Sequence, residues 1–299
     1  MFKWNRVLVA LIGVPLLFFV YMGEAFFHMN LQGLPMLIFT NLVVAIGTYE
    51  FYKMVKISGK EVYDKFGILV SIIIPNLIYL ANRSKYLDQS MVGLVIIIAT
   101  MSLLIYRVFR NQIKGTLEKV SFTILGIVYV SVFFSQIINL YFIGAIFPFV
   151  LQVLVWISDT AAGIVGVAIG RKFFKNGFTE ISPKKSVEGA LGSIIFTAIA
   201  FVGIVSYFEK IKDVSLEEGV VAFLIGAFIS VVAQIGDLIE SLFKRECGVK
   251  DSGTILMGHG GILDRFDSMI LVLPFVTVVI YFFHLYISCL LYTSDAADE

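Results

Sequence analysis

The sequence is poor in charge, in cysteine and in histidine. Charged residues occupy 15% of the 299 positions, and the chain contains only two cysteines and three histidines. Cys247 and Cys289 are too few for a disulfide framework or a thiolate metal site. The near balance of 23 basic and 22 acidic side chains gives no reason to expect a nucleic-acid partner.

Apolar side chains make up most of the remainder. They account for 59% of the sequence, far more than in an ordinary soluble domain, which predicts a polytopic integral membrane protein. A helix needs roughly 20 mostly apolar residues to cross a bilayer, and about nine such runs follow one another along the chain. We place them near 7–27, 33–52, 66–82, 90–106, 120–139, 144–170, 189–208, 219–243 and 266–290.

Because the bilayer core cannot satisfy unpaired backbone groups, spans must be helices or a closed barrel, and these runs are too long and too continuously apolar to be barrel strands. The predicted fold class is therefore all-α. The run that follows Lys3 and Arg6 is long enough to remain as the first span, so it does not resemble a cleaved signal peptide.

The basic residues predict the orientation of the chain. Cytoplasmic loops of membrane proteins carry an excess of Lys and Arg, and all but four of the 23 lie at the N-terminus or in every second connection. The exceptions are Arg83, Lys85, Lys210 and Lys212. We therefore expect a cytoplasmic N-terminus, a C-terminus on the other side, and an active site that faces the cytoplasm from the cell (inner) membrane.

The polar residues divide the chain into parts. Residues 1–143 are expected to form a helical scaffold that could also carry dimer contacts. Residues 144–290 form the expected catalytic membrane region, with cytoplasmic loops at 171–188 and 244–265. Residues 291–299 are expected to form a short, disordered acidic tail.

Asp159 and Glu50 are two of the six carboxylates within the predicted spans. Asp159 has apolar residues on both sides, and Gly163, Gly166 and Gly170 share its helical face. A small-residue packing stripe would explain the glycines but not the carboxylate, so Asp159 is interpreted as functional. Glu50, near the end of the second span, is interpreted as a headgroup-level residue that extends toward the interface beside Lys53.

Two segments near the predicted cytoplasmic surface concentrate the remaining polar groups. The first contains Ser182, Lys184 and Lys185; a solvated basic loop, or one that binds anionic headgroups, is the alternative interpretation. In the second, Asp237, Glu240, Ser241 and Lys244 share one helical face, and Glu240 and Lys244 could form an intrahelical ion pair. Further along, Asp264 and Asp267 lie three residues apart at the start of the last span.

Carboxylates without a Cys or His set favour a hard cation with oxygen ligands, and Mg²⁺ combines one or two carboxylates with water and substrate phosphates. Lysines and arginines around such a site suit phosphate groups, and glycine-bearing loops let backbone amides approach anions. These residues predict a magnesium-dependent enzyme that acts on a phosphorylated substrate at the membrane surface.

The segment Ser241 to Asp267 contains S-x-F-K-R, K-D-S-G, G-H-G-G and D-R-x-D elements. It closely resembles the signature of the phosphatidate cytidylyltransferase (CDP-diglyceride synthase) family. ISDTAAGIVGVAIGRKFF and SPKKSVEG upstream are also similar to blocks of that family, so that the resemblance covers roughly residues 150–290. Met257 departs from the pattern, in which proline is expected before the Gly-His-Gly-Gly element.

The resemblance implies that CTP and phosphatidate react to give CDP-diacylglycerol and pyrophosphate, in phospholipid biosynthesis, with Mg²⁺ and with a second cation left open. It also implies a homodimer within the lipid membrane. Asp237, Asp264 and Asp159 are the implied metal ligands, and they are catalytic together with Lys185. The implied substrate-binding residues are Ser182, Lys184, Ser241, Lys244, Arg245, Lys250, Asp251, His259, Arg265 and Asp267.

Several alternatives stay open at this stage. His259 could be structural, and Asp251 and Asp267 could be ion-pair partners of Lys250 and Arg265. A secondary transporter also places carboxylates in membrane helices, and a CTP-dependent lipid kinase could share the nucleotide site. A CDP-alcohol phosphotransferase is disfavoured because its D-G-x-x-A-R signature is absent from the sequence.

Overall fold

The computed structural model describes residues 4–174, 177–208, 215–255 and 260–295. These residues form helices joined by short loops, which confirms the predicted all-α fold. The helices are α1 (Trp4–Phe26), α2 (Leu34–Ile57), α3 (Asp64–Arg83), α4 (Ser90–Phe109), α5 (Thr116–Gly126), α6 (Phe133–Ile143), α7 (Ile146–Ile169), α8 (Val187–Phe208), α9 (Leu216–Glu246) and α10 (Leu263–Asp295). A π-helical turn, Ile127–Val132, joins α5 to α6 without a break.

Within the described residues, eight helical segments are long and apolar enough to cross a membrane, so the protein is a multi-pass membrane protein. They are α2, α3, α4, the continuous segment Thr116–Ile143, α7, Val187–Tyr207, α9 and Leu263–Phe283. The apolar part of α1, Gly13–Phe26, is shorter. The count of about nine spans and the side of the N-terminus therefore stay predictions.

Local sequence explains where several helices begin. At α9, the Ser215 hydroxyl accepts a hydrogen bond from the Glu218 amide, and the Glu218 carboxylate accepts one from the Ser215 amide. This reciprocal capping box satisfies two amides that a helix start leaves without intrahelical partners. At α2, Gly33 adopts a positive φ of 81°, which glycine tolerates without a Cβ clash.

The C-terminal helices pack in chain order and carry most of the predicted site. Helix α8 lies against α7 and α9, and α10 packs on α9, on α6 and on α2. Phe51 of α2, Tyr129 of the π-helical turn and Phe243 of α9 pack edge to face or tilted, with ring centroids 5.1–6.2 Å apart. This aromatic contact joins the N-terminal helices to the helix that carries Asp237.

The structure shows that the interpretation of Glu50 was wrong. Its side chain is 1% exposed and points into the protein, where its carboxylate accepts hydrogen bonds from the amides of Ile262 (3.2 Å) and Leu263 (2.9 Å). Those amides are at the start of α10 and have no partner one turn earlier in the helix. A residue expected at the headgroups therefore caps a helix 212 residues away in sequence.

Candidate active site

Asp237 and Lys185 form the centre of the candidate site. The Lys185 ammonium donates to Asp237 Oδ2 in an ion pair, and the Ser241 hydroxyl lies 3.3 Å from Asp237 Oδ1. Both members of the pair remain partly accessible, with 32% of the lysine side chain and 26% of the aspartate side chain exposed. A charged pair that is buried on one side and open on the other can exchange partners with an incoming ligand.

Two further carboxylates interact electrostatically with this pair. Asp159 of α7 interacts electrostatically with Asp237, Lys185 and Arg265, and Asp267 of α10 interacts with Asp237 and Asp159. Asp159, Asp237 and Asp267, from three helices, therefore act on one another electrostatically. Their negative charge, which the paired Lys185 offsets in part, favours a cation or a cation-bound phosphate.

The loop between α7 and α8, residues 170–186, is held by a residue that the sequence did not single out as functional. The carboxylate of Glu188, in the first turn of α8, accepts hydrogen bonds from the amides of Arg171 (3.0 Å), Phe173 (2.9 Å) and Phe174 (2.9 Å). The Phe178 amide donates to the Lys185 carbonyl oxygen at 2.9 Å, which closes the loop. These contacts fix the backbone from which Lys185 reaches Asp237.

A second cluster lies one turn further along α9. Lys244 pairs with Glu240 on its own helix and with Asp264 Oδ1 of α10, at 2.8 Å in the latter case. The Glu240 side chain is fully buried and that of Lys244 is 11% exposed. The predicted intrahelical pair is therefore confirmed, but it is buried and shared with a second carboxylate.

Asp264 also anchors the loop between α9 and α10, in which residues 247–255 and 260–262 are described. Its Oδ2 atom accepts hydrogen bonds from the Ser252 amide (2.9 Å), the Ser252 hydroxyl (2.9 Å) and the Gly261 amide (2.8 Å). With Lys244 on the other oxygen, both carboxylate oxygens have protein partners. The structure therefore gives Asp264 a position next to Lys244 and this loop, whereas Asp237 is paired with Lys185.

The remaining predicted residues lie around these two clusters. The side chains of Lys184, Arg245, Lys250, Asp251 and Arg265 are exposed, and that of Ser182 is partly exposed. Among the described residues, neither of the ion pairs considered from the sequence, Lys250 with Asp251 or Arg265 with Asp267, is formed. His259 and Met257 lie outside the described residues.

The donor set is limited to hard oxygen ligands in the part of the chain that the structure describes. That part contains no group of three or more His, Cys, Asp or Glu side chains arranged to hold a metal by themselves. Magnesium does not require such a group, because substrate phosphates and water complete its coordination. Burial raises the pKa of the Cys247 thiol, so this side chain is protonated at neutral pH and is a poor nucleophile.

Three serines from three helices meet directly beside Asp159. Ser158 of α7, Ser193 of α8 and Ser230 of α9 form a closed triangle of hydroxyls, with oxygen to oxygen distances of 2.7, 2.9 and 3.0 Å. Each is at most 1% exposed. In a closed triangle every hydroxyl donates once and accepts once, so no proton is left without an acceptor.

We expect Ser193→Ala to lower the free energy of unfolding by about 1–3 kcal/mol, because it removes two of the three contacts and leaves buried hydroxyls with fewer partners. Thermal unfolding in detergent measures the effect. Ser206→Ala is the control, since among the described residues the hydroxyl of Ser206, which is on the same helix, donates a hydrogen bond only to the Val202 carbonyl oxygen. Equal midpoints for the two variants would contradict the prediction.

The sequence missed Glu50, Glu188 and Ser252 as organising residues. Glu188 lies in the SPKKSVEG element and Ser252 in the K-D-S-G element, so their proximity to lysines was a usable signal. Glu50 had none, because its partners are more than 200 positions away in sequence.

Comparison with known proteins identifies the family of this chain. Residues 4–283 match the model of the cytidylyltransferase family. A phosphatidate cytidylyltransferase of Bacillus subtilis is 31% identical over 242 residues, which cover 79% of this chain and 86% of the relative. Proteins of the same name from Staphylococcus haemolyticus and Staphylococcus aureus are 32% and 30% identical over 248 residues, 83% of this chain and 90% of each relative. The chain belongs to the cytidylyltransferase family.

Proposed function

We propose that this protein is a phosphatidate cytidylyltransferase, which converts CTP and phosphatidate to CDP-diacylglycerol and pyrophosphate. The observation that carries the proposal is the Lys185 and Asp237 pair, on which Asp159 and Asp267 act electrostatically, in a chain whose relatives bear that name. In this reaction an oxygen of the lipid phosphate bonds to the α-phosphorus of CTP. The bond from that phosphorus to the bridging oxygen breaks, and pyrophosphate leaves.

The reaction requires alignment and charge neutralisation more than a strong base. A phosphomonoester has a second pKa of about 6, so the lipid phosphate is largely ionised at neutral pH and can attack directly. Lys185, which is partly exposed beside Asp237, can contact a phosphate oxygen there. Lys184, Lys250 and Arg265 present exposed cations near the same loops, where they can hold and orient the triphosphate or the lipid phosphate.

We propose that these residues bind a magnesium ion together with the substrate phosphates. Asp237 and Asp159 would hold it, with Asp267 within the same electrostatic group, and the ion would offset negative charge on the phosphates. Asp264, predicted as a ligand, already serves Lys244 and the loop after α9. We propose that Asp264 contributes to the site by holding that loop. Coordination of the ion by the same carboxylate would require the exchange of one of its present contacts.

The distribution of Lys and Arg along the chain supports an active site that faces the cytoplasm, because the loops that carry Lys185 and Lys250 belong to the basic set. CTP would reach the site from that side and phosphatidate from the surrounding lipid. A homodimer is proposed from the family resemblance alone.

Product analysis with α-labelled CTP, phosphatidate and Mg²⁺ tests the proposal on purified protein in lipid or detergent. We expect the label in a chloroform-soluble liponucleotide, pyrophosphate in equal amount, and loss of both products when the cation is chelated. Omission of phosphatidate is the control, and should leave the label in CTP.

Other outcomes identify the alternatives. Label recovered as water-soluble CDP when a lipid alcohol replaces phosphatidate would indicate a kinase, since a kinase transfers the γ-phosphate. Product formation that survives chelation would contradict the magnesium proposal while leaving the reaction intact. No turnover of CTP with any lipid acceptor would contradict the enzymatic assignment.

A further inference from the structure

The carboxylates of Glu50 and Asp264 both accept hydrogen bonds from the backbone between α9 and α10. Four backbone amides point at these two carboxylates: those of Ile262 and Leu263 at Glu50, and those of Ser252 and Gly261 at Asp264. The Ser252 hydroxyl lies between the carboxylates, 2.9 Å from Asp264 Oδ2 and 3.4 Å from Glu50 Oε2. Glu50 is the only member that comes from the N-terminal half of the described residues.

Glu50 leaves no room for a side chain at two glycines of this loop, Gly253 and Gly261. A Cβ atom added to Gly253 would come far inside van der Waals contact with the Glu50 carboxylate, and its three nearest neighbours would all be Glu50 atoms. Gly253 does not have a positive φ, so its backbone would otherwise accept alanine. At Gly261 an added Cβ would meet both Glu50 and Ser252. The absence of side chains at these positions is thus explained by the approach of the carboxylate.

We propose that Glu50 is a positioning residue for the reaction: it sets the conformation of residues 252–253 and 261–263, which follow Lys250 and precede Asp264 and Arg265. At 1% exposure it does not reach the substrates itself, and it acts through the backbone amides and Ser252. The N-terminal helices therefore contribute directly to the order of the active site. The role in substrate binding depends on the proposed function, whereas the contact between Glu50 and Gly253 does not.

The kinetic test is Glu50→Gln, which keeps the size of the side chain but replaces one acceptor oxygen by an NH2 group that faces backbone N–H donors. We expect kcat/KM to fall roughly 10- to 100-fold, because this is the usual effect of losing one hydrogen bond to a charged acceptor. We expect a higher KM for CTP, for phosphatidate or for both, and a smaller increase in the thermal midpoint on adding the same substrate. The substrate affected identifies which phosphate meets the loop.

The structural test is a double-mutant cycle with Glu50→Asp and Gly253→Ala. Shortening the acid by one methylene makes room for the new Cβ, so the double variant should be less impaired than the two single effects predict, by a factor of roughly ten. The cycle is measured both as unfolding without substrate and as kcat/KM. Gly93→Ala is the control, because nothing lies within 4 Å of a Cβ there.

Each outcome decides the proposal. If Glu50→Gln has the same kcat and the same two KM values as the unsubstituted protein, the proposal is overturned. If Glu50→Gln does not fold, the cycle decides, and purely additive effects of Glu50→Asp and Gly253→Ala would show that the carboxylate does not shape the loop. If Glu50→Asp and Gly253→Ala are coupled in unfolding, but neither KM nor the stabilisation by substrate changes, Glu50 contributes only to stability. That result would overturn its role in the reaction.

Discussion

Asp237→Asn is expected to reduce CTP turnover at least about 100-fold, the loss typical of removing a preorganised electrostatic group from an active site. The amide cannot carry the charge that pairs with Lys185 or attracts a cation, although its shape is nearly the same. Both members of the pair are partly exposed, so water can solvate the Lys185 ammonium that is left behind. The fold should therefore survive, and kcat measured on folded, purified protein is the appropriate readout.

Asp64→Asn is the matched control for this variant. Asp64 also pairs with a lysine, Lys56, at 2.5 Å, and both side chains are at least 36% exposed. Since this pair lies outside the group of carboxylates, its loss should leave turnover within about twofold and stability within about 1 kcal/mol. Turnover by Asp237→Asn at a rate close to that of Asp64→Asn would show that Asp237 takes no part in the reaction.

Lys244→Met is expected to lower the free energy of unfolding by about 3–5 kcal/mol, which is the usual result of removing one partner from a buried ion pair. The variant leaves the carboxylates of Glu240 and Asp264 close together without their shared cation. Within the described part of the chain, neither Glu240 oxygen has a hydrogen-bond partner besides Lys244, and the side chain is fully buried. Unfolding by SDS in mixed micelles, followed by circular dichroism, measures the change.

Two further variants separate lost charge balance from lost packing. Glu240→Gln combined with Lys244→Met removes both charges of the intrahelical pair, and should recover part of the stability because no unpaired Glu240 carboxylate remains. Lys56→Met removes a lysine from the exposed pair with Asp64 and should cost about 0–1 kcal/mol. A cost for Lys244→Met as small as that of Lys56→Met would contradict the assignment of a buried, shared ammonium.

The local sequence determined the secondary structure of this protein. Spans as long and apolar as Leu34–Ile57 or Ile146–Ile169 have only one way to satisfy their backbone in lipid, which is the helix. Short-range spacing was equally informative: Glu240 and Lys244 pair across one helical turn, as residues four apart on a helix can. The approximate location of the site followed from polar residues that apolar segments could not otherwise accommodate, above all Asp159 and Asp237.

The tertiary structure decided which partner each polar group has. Lys185 and Asp237 are 52 positions apart, and only the packing of α8 between α7 and α9 brings their segments together. Glu50 lies near the end of an apolar helix, where the sequence is equally compatible with solvation at the interface and with burial. The fold placed it against the first amides of α10 instead, because a buried carboxylate is stable only where hydrogen-bond donors converge on it, and those donors come from the other end of the chain.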